Sequence, residues 1–356
     1  MEASARVDER VLRLDFECLE SLPGGLREVR TWLDNITGGE FCGKRLDIST
    51  IDQDGVLLEP ALLQQVVHDN VVPVLAAAVV DGYPKPMRVV EIVMPYYRRG
   101  SVTDALLRGE RFGVSSACLH AQAALRGLGE LHEQHGVLHR DVKSSNLLLT
   151  DDAHRLKVGD LGLAGKMDAN GECPALDNPQ LYSPPELVAT GVWTRASDVF
   201  AMGLVLRELL GGPFPYDDYT MSEISARLVR GVAPLRRDDA LLPGWAPRDL
   251  RRIVRKATDR EPRGRYQSAR EMARAISRAV TAEWQEVSDR RWEAPCRQPD
   301  RRVAVEAAPR GGGLRLSLLG YRTAWRRVVP DVDVPDLRSA AASAVFDQAT
   351  KIASAR

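Results

Sequence analysis

The spacing of hydrophobic positions changes along this chain, and the changes divide it. Over residues 21–47, short apolar blocks broken by glycine predict strand, turn, strand, turn, strand, with Thr37-Gly38-Gly39 as the hairpin signal. Ahead of them, Val11, Leu12, Leu14 and Phe16 alternate loosely and predict a first strand or a short arm. Val56 to Val67 has helical spacing, and Val89 to Met94 is an unbroken apolar strand. Beyond residue 115 the period becomes helical. One long helix is predicted from an N-cap at Ser115 or Ser116 to His135, ended by Gly136. A capped, wholly apolar helix follows Thr194, then helices at about Met221–Val229, Pro247–Thr258 and Ser268–Trp284. In the tail, Val303–Glu306 and Leu314–Leu318 alternate with period two around Pro309-Arg310-Gly311-Gly312-Gly313. Pro335-Asp336 then opens a helix carrying Leu337, Ala341, Val345, Ala349 and Ile352. The pattern predicts an α+β chain: short strands with one helix over about the first hundred residues, mainly helices beyond residue 115, and a small ββα-type module at the end.

Composition narrows the options. The 356 residues suffice for a two-lobed domain and an appendage. Forty-nine basic and 49 acidic residues cancel, so no global field draws the chain to nucleic acid or membrane. Only seven basic residues are lysine, which suggests the coding bias of a GC-rich bacterium; it also makes Lys44 and Lys143 more informative where chemistry specifies a lysine. The five cysteines are scattered with no C-x-x-C pair, so a reducing cytoplasm is the simple expectation. The N-terminal stretch lacks an apolar signal region. The most apolar run, Val71 to Val80, is about half the length needed to span a bilayer. A soluble, non-membrane protein is expected.

One stretch concentrates polar chemistry: His139-Arg140-Asp141-Val142-Lys143-Ser144-Ser145-Asn146, followed by Leu147-Leu148-Leu149. A carboxylate, an ammonium and an amide supply what phosphoryl transfer needs: an acceptor for the attacking hydroxyl, a cation near the moving phosphate and an oxygen ligand for Mg²⁺. The three leucines predict a short buried strand that anchors the loop. The stretch resembles the catalytic loop of protein kinases, H-R-D-x-K-x-x-N. Fourteen residues after Asn146, Asp160-Leu161-Gly162 resembles the kinase Asp-Phe-Gly, and Tyr182-Ser183-Pro184-Pro185-Glu186 resembles its Ala-Pro-Glu.

The resemblance covers residues 10–284 and is nearest in flavour to the bacterial eukaryotic-like serine/threonine kinases. It implies a bilobal protein-kinase-like fold with an N-lobe at 1–97, a C-lobe at 98–284 and an accessory module at 285–356. It implies ATP and Mg²⁺, with transfer of the γ-phosphate to Ser or Thr of protein substrates. On it, Asp141 and Lys143 are catalytic, and Asn146 and Asp160 hold metal. Lys44, paired with Glu59, takes the α- and β-phosphates. Gly24, Val29, Cys42, Met94, Pro95, Tyr97 and Leu148 form the nucleotide-binding walls and hinge. Asp198 would brace the catalytic loop, and Arg265 would pair with Glu186.

There are departures from the family pattern. Of the three positions in the glycine-rich loop, Leu22, Gly24 and Arg27, only Gly24 is a glycine, and Pro179 stands where a threonine usually contacts the catalytic Asp and Lys. Between Gly162 and Leu181 there is no Ser, Thr or Tyr to take the phosphate that often pairs with the Arg before the catalytic Asp. Arg140 is therefore expected to meet a built-in carboxylate (Asp168, Glu172 or Asp177) or to stay unpaired. The alternative function is a pseudokinase acting as a nucleotide-binding or structural module. For residues 285–356, thirteen basic against nine acidic residues leave a net of +4. Two readings stand for it: a docking or nucleic-acid module, or a module packed on the rest of the chain or on a second copy as a homodimer.

Overall fold

Runs rich in β-branched and aromatic residues, separated by turns, build the first sheet. The computed structural model describes residues 15–22, 29–47, 49, 64–152, 156–176 and 178–355. The chain divides into two compact units, the first ending at Tyr96 and the second running from Tyr97 to the C-terminus, with 66–72 also belonging to the second. In the first unit, β1 (Phe16–Leu22), β2 (Val29–Asp34), β3 (Glu40–Asp47), β4 (Ala76–Val80) and β5 (Val89–Pro95) form an antiparallel sheet of order β1-β2-β3-β5-β4. The predicted hairpin turn is closed by Asp34, whose carboxylate accepts from the Ile36 amide (2.9 Å) and the Thr37 hydroxyl (2.6 Å), with Gly38 at φ 71°.

In the second unit, α1 (Val102–Leu107) precedes α2 (Val114–Gln134). The predicted serine cap of α2 is not used. Its N-cap is Gly113, and the Ser115 amide donates to Glu283, 168 residues away, at 2.8 Å. Four short strands frame the loops between helices: β6 (Val137–Leu138), β7 (Leu147–Leu149), β8 (Leu156–Val158) and β9 (Gly165–Lys166), paired β6–β9 and β7–β8. β10 (Glu172–Pro174) pairs with β11 (Val192–Thr194), on either side of α3 (Leu187–Thr190). The apolar helix α4 (Arg195–Gly211) is buried almost all round and opened by a Thr194/Ser197 capping box. α5 (Met221–Val229), α6 (Arg237–Ala240), α7 (Arg248–Ala257) and α8 (Ala269–Ser277) follow. α8 stops seven residues before the predicted end. The residues beyond it are engaged elsewhere: Glu283 caps α2, and Trp284 enters the last core.

The C-terminal region is richer in strands than its alternation predicts. The predicted hairpin is β14 (Arg302–Arg310) with β15 (Gly313–Tyr321), turning at Gly311 and Gly312, both at positive φ. Flanking strands extend it: β12 (Gln285–Ser288) and β13 (Arg291–Pro295) on one side, β16 (Trp325–Arg327) and β17 (Val332–Val334) on the other. α9 (Ala340–Ser354), capped by Ser339, covers the sheet with Val345, Phe346 and Ala349. The architecture is thus α+β: an antiparallel sheet in the first unit, helices in the second, and a β-rich C-terminal region. Among the described residues, no helix is long and apolar enough to cross a membrane.

Candidate active site

The loop at 139–146 is held from below by one buried carboxylate. Asp198, in the first turn of α4, accepts from the backbone amides of His139 (2.9 Å) and Arg140 (3.1 Å), from His132 Nε2 (2.8 Å) and from Trp193 Nε1 (2.8 Å). Burial by itself pushes the Asp198 carboxyl up. The hydrogen bond and charge of His132, with the His139 amide, outweigh it and hold the group below the usual carboxylate value. The loop backbone needs this support because Arg140 sits at φ 61°, a left-handed conformation that is strained for a side chain.

On this brace three side chains converge. Lys143 Nζ lies 2.9 Å from Asp141 Oδ2. Asn146 Nδ2 donates to Asp141 Oδ2 at 3.0 Å and to the Asp141 carbonyl at 2.8 Å. Asp141 is buried, while the Lys143 side chain keeps about a quarter of its surface. The second carboxylate is tied in through the β7–β8 hairpin: the Gly159 amide donates to the Asn146 carbonyl at 2.8 Å, and Asp160 follows at φ 53° with Oδ1 accepting from the Gly162 amide (3.2 Å). Leu148, half-buried on β7, bridges to Ser101 and lies beneath Gly159.

These donors suit magnesium. Asn146 spends its amide nitrogen on Asp141, so its oxygen remains as a hard ligand, and Asp160 adds a carboxylate. Among the described residues no group of three or more His, Cys, Asp or Glu forms a complete metal site. Mg²⁺ commonly takes one or two protein oxygens and completes its shell with substrate phosphates and water.

Part of the surroundings of Arg140 is main chain. Its Nε donates to the Leu163 carbonyl (2.7 Å), Nη1 to Pro174 (2.8 Å) and Nη2 to Ala164 (3.1 Å). Three main-chain oxygens, which carry no residue identity, thus take one bond from each of its nitrogens. Asp168 is engaged with the amides of Asn170 and Glu172 instead, and Asp177 lies outside the described residues.

In the first unit, register places four predicted residues on one face of the sheet. Val29 pairs with Lys44 across β2–β3, and Cys42 with Met94 across β3–β5. Pro95 ends β5 opposite Phe41. Tyr97 opens the second unit, its carbonyl accepting from the Gly100 amide at 2.9 Å and its phenol pushed up to about 12 by burial. Gly24 and Glu59 lie outside the described residues. The opposite face holds a network the sequence did not reveal: buried Glu91 accepts from Arg45 Nε (3.0 Å) and from the Trp32 indole. Gly43 leaves room for this network, since a Cβ there would meet the Glu91 carboxylate and the Trp32 indole and force them to shift.

Two more features escaped sequence reading. Lys143 Nζ also donates to Gln180 Oε1 (3.2 Å), one residue beyond Pro179, so a neighbouring amide contacts the lysine where the family's threonine is missing. Ser144, inside the 139–146 stretch, meets the Tyr182 hydroxyl (2.9 Å), which donates to buried Glu208 at 2.5 Å. Burial pushes both Tyr182 and Glu208 up. The predicted Arg265–Glu186 pair is two-pronged, at 2.7 and 2.6 Å, with Arg265 buried.

Comparison with known proteins agrees with this geometry. Cytokinesis protein sepH of Aspergillus terreus is 30% identical over 190 residues, 53% of this chain and 13% of its own length. Serine/threonine-protein kinase 12 of Arabidopsis thaliana is 29% identical over 62% of this chain and 48% of its own. A probable serine/threonine-protein kinase of Dictyostelium discoideum is 29% identical over 57% and 40%. The chain therefore spans about half or less of these relatives. They come from a fungus, a plant and an amoeba, so the expected bacterial flavour finds no support in them. The family described as Protein kinase domain matches residues 23–275, most of the chain, and the chain belongs to that family.

Proposed function

We propose that the chain is an ATP- and Mg²⁺-dependent protein kinase that phosphorylates Ser or Thr hydroxyls of protein substrates. The observation that carries this reading is the cluster of Asp141, Lys143 and Asn146 within hydrogen-bonding distance on a buried brace. In it Asp141 orients the substrate hydroxyl and accepts its proton. Lys143 neutralises charge on the phosphate in transit. Asn146 and Asp160 would hold magnesium, which would supply positive charge to offset that of the phosphates. Lys44, held by Glu59, positions the α- and β-phosphates. Val29, Cys42, Met94 and Leu148 enclose the adenine, Gly24 lets the backbone approach the phosphates, and Pro95 and Tyr97 offer main-chain groups to the base. Residues 1–97 and 98–284 act as the two kinase lobes, and 285–356 as an accessory module. Five free cysteines fit a reducing compartment.

The test is transfer of label from γ-labelled ATP·Mg²⁺ to the protein itself and to a generic basic protein. Phosphoserine or phosphothreonine is expected with the native chain and absent with Asp141→Ala. Transfer that survives the substitution, or ATP binding with no transfer to any acceptor, sinks the reading.

A further inference from the structure

The C-terminal sheet carries a cavity that the kinase reading leaves unused. It measures about 430 Å³ and lies among the ends of β14 and β15, the 322–324 turn and the last turn of α9. Arg301, Arg302, Arg322, Arg326 and Arg327 line it beside Tyr321, and its wall contains no Asp or Glu. Arg302 approaches Glu293 at 3.6 Å and Arg327 pairs with Asp331 at 3.0 Å. Arg301, Arg322 and Arg326 have no carboxylate partner among the described residues. Several like charges around one hollow repel each other, and the hollow concentrates their field.

A second arginine-lined cavity provides the contrast. Beside α7 and α9, Asp347 stands in the wall and accepts from Arg251 Nη2 with both carboxylate oxygens, at 2.6 and 2.7 Å. There the chain supplies its own anion; around Arg301 it does not. The carbonyls at the end of α9 would oppose an anion, but those of Ile352 and Ala353 already accept from the Ala355 and Arg297 amides, at 3.3 and 2.8 Å.

We propose that this cavity binds a small polyphosphate, a ligand with two or more adjacent phosphates of the pyrophosphate or tripolyphosphate kind. Guanidinium forks match phosphate oxygens in pairs. Three uncommitted positive charges balance a di- or triphosphate better than a single monoanion. The volume is that of a small-ligand site. A nucleic-acid strand needs a linear track of cations along its backbone, whereas these side chains surround one hollow. Tyr321, packed 5.2 Å from Trp325, forms one flat wall.

The test uses the full chain in magnesium-free buffer, titrated with tripolyphosphate by calorimetry. Alkylation of Cys296, which lines the cavity, is followed by mass spectrometry. The expected result is saturable one-site binding that slows alkylation of Cys296 and leaves Cys42 unchanged. In the Arg301→Gln/Arg322→Gln/Arg326→Gln variant, binding should weaken by at least about tenfold, while Arg290→Gln/Arg310→Gln binds like the native chain. Each single Arg→Gln variant is measured too; should the triple variant melt abnormally, the singles and the Cys296 protection decide. Four outcomes overturn the proposal: no saturable binding at about 1 mM, undiminished binding in well-folded variants, protection of Cys42 in place of Cys296, or tighter binding of a phosphoserine peptide or single-stranded RNA than of tripolyphosphate.

Discussion

The stretch at 139–146 and the core beneath α9 are both buried, and they are held in opposite ways. Around the stretch, the fixing contacts are directional hydrogen bonds converging on Asp198 and Asp141. Beneath α9 they are apolar faces: Phe346 meets Trp284 and Trp292 edge-on at 5.2 and 5.6 Å. Hydrogen bonds fix angles and contribute modest net stability, whereas apolar burial is strong and tolerant of direction. The first region is therefore built for geometry and the second for cohesion, so substitutions in them should damage different properties.

Asp141→Asn tests that division most severely. It keeps the shape and removes the proposed proton acceptor, so phosphotransfer should fall by about 10² to 10⁴-fold, with the melting temperature moving by less than about 3 °C. Labelled-ATP transfer beside a thermal melt measures both. Asp198→Ala should breach the division by damaging fold and activity together. It leaves two amides, an indole and an imidazole without their acceptor, at a cost of about 3–5 kcal/mol in urea unfolding. Because the Asp198 carboxyl is held low in the native state, its stabilising contribution is complete above the ordinary carboxylate range. That contribution is lost as pH falls through the lowered native value. The stability gap between native and variant should therefore shrink on acidification; a gap that widens contradicts the assignment.

Phe346→Ala is the counterpart in the second region. It should cost about 3 kcal/mol of stability and leave kcat/KM unchanged well below the melt. A folded variant with lost activity would show the two regions to be coupled. Gln180→Ala should have the smallest effect of these, a rate loss of roughly 2- to 10-fold from one hydrogen bond to Lys143, with unfolding unaffected.

The sequence was legible where chemistry dictates a residue type at fixed spacing. His139 to Asn146 and Asp160 could be located without coordinates, and so could Asp198 and the Arg265–Glu186 pair. It was opaque where the partner is remote or carries no identity. The cap on α2 comes from Glu283, 168 residues away, so no local serine could announce it. Glu91 closes a network whose other members stand on β2 and β3. β16 and β17 are three residues each, too short to show a period. Gln180 reaches Lys143 from the position after Pro179, a contact that the family pattern does not announce.

Arg140 shows what such identity-free contacts mean for control. Carbonyl oxygens of the main chain are present from the moment the polypeptide is made, and no phosphatase can strip them. These three bonds therefore persist whatever the phosphorylation state of the chain.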